Sequence, residues 1–398
     1  MSQTGQPNDK SPRHPYLSGN FASVTSTCPP TPVTWSGHIP DELLGGMYVR
    51  NGGNPVTNDD LGREAHWFDG DGMLSGVWFS RAHDAAAKPV VNFVNQFILT
   101  DVYLTAIQNP TLRTPILPSI STLVNPASSL LFILWRILRT VLVVLYTHLS
   151  GSARAIKRIS VANTSILFHD GRALATCESG PPMRIALPSL ETVGWFDGHE
   201  AEVQLTSRRP HTQIANRRRA IDPCLSLPIR IDVQTLLARA DDSAPEAISG
   251  CVDNRNIDEV LASKDANDPI KAFRLPPNHF GQEARFVPRK ATGQGDVALA
   301  EEDGYLLFYV FNEDQLDEEG ECKPDARSEL WVLDARDMQT VVCKVQLQTR
   351  IPYGLHGNWF TEEDISRQRD VQTLRSETHH PSDSRWSHLQ KSIISYLG

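Results

Sequence analysis

The sequence has few of the features that mark small secreted proteins, zinc modules and nucleic-acid-binding proteins. Its 398 residues contain only six cysteines, and no two of them form a CxxC pair. This spacing predicts neither a disulfide framework nor a zinc site, and it favours a reducing compartment. Acidic residues outnumber basic ones, which gives a formal net charge of −9, so nucleic-acid binding is not expected.

Signatures of the common enzyme classes are also missing. The sequence has no HExxH metal motif, no GxSxG nucleophile elbow and no glycine-rich phosphate or dinucleotide loop. Thirteen histidines are candidate metal ligands, but their spacing alone assigns none of them to a site. Composition and spacing therefore exclude these chemistries without naming another.

The two ends of the chain differ in composition from its middle. Residues 1–32 lack the basic and then apolar order of a secretory signal, and their Ser, Pro, Gly and Asn predict a disordered or wrapping arm. A single folded domain is expected over residues 33–360, followed by a mostly polar tail over residues 361–398. The lack of a secretory signal pattern predicts synthesis in the cytosol.

Short apolar segments separated by turn residues predict a mainly β domain. Strands are expected at residues 47–49, 73–79, 164–168, 172–176, 183–187, 286–288, 305–311, 330–333 and 341–347. The Asn- and Gly-rich residues 51–55 predict a turn with positive φ. Evenly spaced short strands favour a propeller or a sandwich over a βαβ fold.

One segment departs from this pattern, because fifteen of the twenty residues from 130 to 149 are apolar. It lies in a helical region at residues 113–158 and is nearly long enough to span a bilayer, but Arg136 and Arg139 near its middle make a span costly. We expect a helix that lies on the membrane, with these arginines facing anionic headgroups. The alternative is a core helix whose two arginines reach solvent.

A second irregular segment covers residues 201–230. It contains five arginines between Arg208 and Arg219 and shows no alternation of apolar and polar residues. A solvated basic loop is one explanation, and an aberrant junction left by a deletion or a misread splice is the other. The arginines have no interleaved aromatic residues for base stacking, which again argues against nucleic-acid binding.

Longer motifs then point to a family. In chain order they are GMYVRNGGNP at residues 46–55, HWFDGDGML at 66–74, NTS at 163–165, HDGRALA at 169–175, ESG at 178–180, QEARFVPR at 282–289 and IPYGLHG at 351–357. Together these motifs resemble those of the carotenoid cleavage oxygenases.

The resemblance implies a seven-bladed β-propeller, here incomplete, with an inserted helical cap that faces a membrane. Such enzymes are non-haem iron dioxygenases, with Fe(II) held on the propeller axis by four histidines. They cleave a C=C bond of a carotenoid or apocarotenoid into two carbonyl products. The expected substrates are thus an apolar polyene and O2, and the expected partner is a membrane surface, contacted through residues 130–149 of a cytoplasmic, peripherally bound protein.

The resemblance also assigns residues. By its motif, His356 matches an iron ligand, and Glu178 and Glu283 match carboxylates that orient ligand imidazoles; no catalytic residue beyond the metal site is implied. The family's other three ligands lie between the motif ending near Gly194 and the next motif, an interval that is nearly absent here. It contains His199 and His211, neither in a matching motif, and His211 is the candidate for a damaged remnant of one ligand.

This departure leaves two explanations for the chain. One is an inactive derivative that retains only membrane or lipid binding, because a single imidazole does not hold iron in a closed site. The other is that the sequence omits coding segments around residues 201–230.

Overall fold

The structure, a computed structural model, describes residues 15–56, 66–81, 88–109, 116–117, 129–149, 155–196, 198, 227–241, 252–290 and 302–375. The strands are β1 (Cys28–Pro32), β2 (Trp35–Gly37), β3 (Met47–Asn54), β4 (Asp71–Ser80), β5 (Val90–Phe97), β6 (Ser165–His169), β7 (Arg172–Cys177), β8 (Gly180–Ile185), β9 (Thr192–Trp195), β10 (Ile229–Ile231), β11 (Ile270–Ala272), β12 (His279–Gly281), β13 (Arg285–Pro288), β14 (Gly304–Asn312), β15 (Ser328–Asp334), β16 (Val341–Gln346) and β17 (Gly357–Phe360). The α-helices are α1 (Asp101–Gln108), α2 (Leu130–Leu149), α3 (Val233–Asp241), α4 (Ile257–Ala262) and α5 (Glu362–Ser366).

The strands form antiparallel sheets that join the two ends of the chain. Sheet I has the order β1-β5-β4-β3-β17, sheet II the order β6-β7-β8-β9, and sheet III the order β12-β14-β15-β16-β2 with β13 also on β14. A two-stranded ladder pairs β10 with β11. Because the late strand β17 completes sheet I and the early strand β2 completes sheet III, segments distant in sequence are placed side by side.

Sheet I lies between the other two large sheets. One cluster of fully buried side chains joins it to sheet III, and includes Tyr48 and Phe93 from sheet I with Leu307 and Leu330 from sheet III. A second cluster joins it to sheet II through side chains such as Val49 and Ile166. The predicted mainly β fold is confirmed, and the described residues account for three sheets of four or more strands and one short ladder.

The nine predicted strands are all present, most of them longer than predicted, because cross-strand pairing extends each apolar run into its polar neighbours. The largest difference is at residues 51–55, where the predicted turn is wrong. There β3 continues through Gly52 and Gly53, and neither glycine has a positive φ. A Cβ on Gly52 would lie 2.6 Å from the Cα of Gly354, so glycine is needed here for close approach of another segment rather than for a turn.

Helix α2 coincides with the apolar segment, and by length and composition it is long enough to cross a membrane. Its large apolar side chains are mostly exposed, with Leu131 at 79% and Leu149 at 76%. Because these side chains face outward in the described part of the chain, α2 is not a core helix. It presents an apolar surface instead.

The predicted position of the arginines on α2 is wrong. Arg136 and Arg139 are only 7% and 4% exposed, and they lie on the buried face with Thr140, Val143 and Thr147. These five residues recur at intervals of three or four positions, which puts them on one face of the helix. This mostly polar face packs against the protein, while leucines occupy the outer face. Composition alone did not reveal which face the protein covers.

The described parts of the two terminal segments pack on the sheets. β1 pairs with β5, so the first strand begins before residue 33, and Arg350 donates to the carbonyl oxygen of Asn20 at 3.1 Å. At the other end, the Arg375 N–H donates to the Thr192 carbonyl oxygen of β9 at 2.8 Å. Most of the predicted junction at residues 201–230 lies outside the described residues, and its last residues enter β10.

Candidate functional site

His356 lies in the short turn that leads into β17. The Leu355 N–H donates to the Asn51 carbonyl oxygen at 2.8 Å, and the Asn51 N–H donates to the His356 carbonyl oxygen at 3.1 Å. On the other side, the His356 N–H donates to the Thr164 carbonyl oxygen at 3.1 Å, immediately before β6. The backbone of His356 is therefore held between sheets I and II, while its side chain is 57% exposed.

Glu283 contacts both the ring of His356 and the backbone beside it. Oε1 of Glu283 lies 3.1 Å from Nδ1 of His356, and Oε2 accepts from the Gly357 N–H at 3.0 Å. A carboxylate beside Nδ1 favours a proton on that nitrogen, which leaves Nε2 with a free lone pair for a metal. The structure thus brings together two of the residues assigned by the motifs, although they are far apart in sequence.

Glu178, the other carboxylate assigned by its motif, is connected to His356 through Thr164. The Thr164 hydroxyl donates to Oε2 of Glu178 at 3.0 Å, and the Thr164 carbonyl oxygen accepts from the His356 backbone. Glu178 follows β7 in sheet II, whereas Glu283 lies just before β13, so the two carboxylates approach the turn from different sheets. Of the two, Glu283 has the direct contact with the ring.

Two side chains of β3, those of Arg50 and Tyr48, donate hydrogen bonds to the backbone of Glu283. The sequence motifs gave no role to either. The Arg50 guanidinium donates to the Glu283 carbonyl oxygen at 3.1 Å and lies 3.6 Å from Oε2 of its carboxylate. The Tyr48 hydroxyl donates to the same carbonyl oxygen at 3.2 Å. Burial raises the pKa of Tyr48, although the neighbouring Arg50 charge opposes the shift, so the phenol remains a hydrogen-bond donor.

A sequence signal for Arg50 does exist. Arg50 directly follows the apolar residues 47–49 of a predicted strand. The structure adds that all eight residues of β3 are buried, and a buried arginine needs partners. The identity of those partners was not readable, because Glu283 and Gly354 come from the other end of the chain.

The other histidines whose contacts are seen have local structural partners. Nδ1 of His66 accepts from the Phe68 N–H at 3.0 Å at the start of a short 3-10 helix. Nε2 of His148 lies 2.9 Å from the Ile156 carbonyl oxygen, and Nδ1 of His279 lies 2.9 Å from that of Pro277. Within the described ranges, no group of three or more His, Cys, Asp or Glu residues is placed to hold a metal ion.

The donor set of the described residues does not complete the iron site that the resemblance implies. That site requires four imidazoles, and the described part of the chain supplies one at the matching position, His356. The interval expected to carry the others contains His199 and His211, and both lie outside the described residues. The Glu283 carboxylate lies beside Nδ1 of His356, but one imidazole with a neighbouring carboxylate is not the set of four neutral imidazoles that the resemblance implies.

Comparison with known proteins agrees with the motifs. Residues 21–220 and 229–361 match the family described as RPE65, retinal pigment epithelial membrane protein. The chain is 32% identical to carotenoid dioxygenase carX of Gibberella fujikuroi, across 94% of this chain and 93% of the relative. It is also 34% identical to carotenoid 9,10(9',10')-cleavage dioxygenase 1 of Phaseolus vulgaris, across 48% of this chain and 31% of that protein.

The alignment with carX is much longer than this chain. It runs over 659 positions, whereas the chain has 398 residues, so at least 261 aligned positions have no residue here. The family match is itself interrupted at residues 221–228.

Solved structures share the fold. The lignostilbene dioxygenase of Pseudomonas brassicacearum aligns with a TM-score of 0.51 and 15% identity, over 90% of this chain and 100% of that one. An ACO/RPE65 chimera aligns with a TM-score of 0.51 and 17% identity, over 87% and 98%. The family match covers most of the sequence and contains His356, Glu178 and Glu283. The chain therefore belongs to the carotenoid oxygenase family, whose curated relatives are carotenoid-cleaving dioxygenases.

Proposed function

We propose that this chain is a non-haem iron(II) dioxygenase that cleaves one C=C bond of a carotenoid or apocarotenoid. The similarity to a carotenoid dioxygenase along 94% of the chain and 93% of the relative carries the proposal. In the overall reaction, both oxygen atoms of O2 enter the products, one at each carbon of the broken bond. Two carbonyl compounds result, and the reaction needs no further oxidant.

In this proposal His356 binds iron through Nε2, and Glu283 fixes the ring and its tautomer through Nδ1. Glu178 acts through Thr164 on the backbone that carries His356. Because the described residues supply one imidazole at a position that matches a ligand, the proposal requires three more from histidines outside the described residues. The interval where the family's other three ligands lie contains His199 and His211, which account for two of the three at most.

We further propose that the fold is the seven-bladed propeller of the family with several strands missing. The three large sheets pack on one another through shared buried clusters, and sheets I and III exchange terminal strands, as expected for a radial arrangement of blades. The positions of carX that have no counterpart in this chain support the proposal that strands of the propeller are missing.

The membrane surface belongs to the same proposal. The outer face of α2 carries leucines that are 37% to 79% exposed, and an apolar polyene dissolves in a bilayer rather than in water. We propose that the protein is cytoplasmic and binds membranes peripherally through this face. Its substrate then passes directly from the bilayer to the protein.

Metal content and products test the proposed activity together. The full chain is produced with ferrous iron, its iron per chain is measured, and it is incubated in air with a carotenoid or an apocarotenoid in detergent micelles. We expect bound iron and O2-dependent carbonyl products, and we expect His211→Ala and His199→Ala to lower the iron content. A chain that binds no iron and forms no carbonyl product contradicts the proposal.

A second candidate function is favoured by the interrupted alignment. At least 261 positions of carX have no counterpart here, and the interval in which the family's other three ligands are expected is short in this chain, which suits a metal-free homologue that retains membrane or lipid binding. In the same experiment, this function predicts liposome binding without iron or product. Iron content therefore separates the two functions directly.

A further inference from the structure

We propose that Arg50 is a positioning residue for the His356–Glu283 pair. Its guanidinium sets the place of the Glu283 carboxylate and of the turn that carries His356. The consequence for catalysis rests on the proposed function, whereas the arrangement itself exists with or without activity.

The two ends of the Arg50 guanidinium contact two different segments. Nη1 donates to the Glu283 carbonyl oxygen at 3.1 Å and lies 3.6 Å from its carboxylate, and Nη2 donates to the Gly354 carbonyl oxygen at 3.0 Å. One planar group therefore spans the segment before β13 and the turn before β17. The fork geometry of arginine matches two acceptors at once, which the single ammonium of lysine does not.

The Glu283 carboxylate beside Arg50 also contacts His356, in the turn before β17, and Gly357, the first residue of β17. Oε2, the oxygen nearest Nη1, accepts the Gly357 N–H, while Oε1 lies against Nδ1 of His356. A displacement of the carboxylate therefore reaches the ring and the next backbone amide together. Arg50 makes this connection from β3, which pairs with β17 with Arg50 opposite Gly357.

The cost of burying Arg50 indicates a role beyond packing. The side chain is 4% exposed, and its Nε has no hydrogen-bond partner among the residues that the structure describes. A buried donor without a partner is destabilising, and an apolar side chain would fill the same space without that cost. Glycine at position 354 is part of the arrangement, because a Cβ there would lie 2.3 Å from Nε of Arg50.

Hydrogen exchange at the Gly357 amide reports the position of the Glu283 carboxylate directly. In Arg50→Met we expect exchange at Gly357 to rise by about tenfold or more, the effect of losing a charge-assisted hydrogen bond that supports its acceptor. Arg50→Lys keeps the charge and one donor, so it should restore part of the protection. Exchange is measured on the full chain by mass spectrometry with residue-level fragmentation.

Arg172→Met is the matched control. Arg172 is a similarly buried arginine of β7 in sheet II, 1% exposed, and its acidic partner is Asp170 in the turn between β6 and β7. Its replacement should lower global stability without changing Gly357 exchange relative to the rest of sheet I. Unchanged Gly357 protection in Arg50→Met, or an equal rise in Arg172→Met, overturns the proposal.

A second variant applies if Arg50→Met does not fold. Gly354→Ala keeps the side chains of Arg50, Glu283 and His356. Its added methyl group would overlap the Arg50 side chain and displace the guanidinium. It should also raise exchange at Gly357, and wild-type protection in this variant overturns the proposal. Iron content is measured on the same samples, so a wild-type chain without iron refutes the proposed function while the exchange data still decide the role of Arg50.

Discussion

The outward leucines of α2 lead to a quantitative prediction for membrane binding. Leu131 and Leu138 are seven residues apart on one face of the helix and are 79% and 49% exposed. Burying a whole leucine side chain contributes roughly 1.5 to 3 kcal/mol. Replacing both with serine should therefore weaken transfer to a bilayer by roughly 2 to 4 kcal/mol, which is about 30-fold or more in the partition constant.

The assay is co-sedimentation with phosphatidylcholine liposomes, with and without an added anionic lipid. Because Arg136 and Arg139 are buried, the apolar face should dominate, and the effect of the serine variant should persist with neutral lipid. Val233→Ser with Leu237→Ser on α3 is the matched control, since these side chains are 47% and 59% exposed. Equal binding by the α2 variant and wild type, or an equal loss in the α3 control, would show that the outer face of α2 does not determine membrane binding.

Two further predictions concern stability. Leu307→Ala, in the fully buried cluster between sheets I and III, should lower the free energy of unfolding by about 2 to 5 kcal/mol, and a loss below about 1 kcal/mol in urea titration would contradict this packing. Burial raises the pKa of Asp71 to about 6, so ionisation of this folded-state carboxyl costs stability as the pH rises from about 4 through 6. Between pH 4 and pH 7, the free energy of unfolding of Asp71→Asn should therefore rise relative to that of wild type by up to about 3 kcal/mol. A difference between the two free energies that does not change with pH would count against the raised pKa of Asp71.

The strands were predictable where apolar residues are contiguous. Residues 305–311 are an example, because a run of seven large apolar side chains has few alternatives to a buried strand, and β14 covers it with one more residue at each end. The glycines of β3 were misread for the opposite reason. Gly52 is glycine because Gly354 packs on it, and a contact over that separation leaves no local trace.

Helix α2 also depends on contacts that the local sequence does not show. The apolar run predicts the helix, and the spacing of Arg136, Arg139, Val143 and Thr147 shows that they share a face. Only the neighbouring segments determine that this face is the covered one. The motifs alone predict that His356, Glu178 and Glu283 share one site, but the support from Arg50 and Tyr48 follows only from the pairing of β3 with β17.

In the proposed function, His356 belongs to an iron site that cleaves a carotenoid C=C bond. Its most direct test is incubation of the iron-supplied full chain with a carotenoid or apocarotenoid under isotopically labelled O2, alongside His356→Ala and the exposed control His169→Ala. We predict labelled carbonyl products and bound iron in the wild type and in His169→Ala, and loss of both in His356→Ala. Products at the wild-type level in His356→Ala, or their absence from the iron-supplied wild type, would contradict the account.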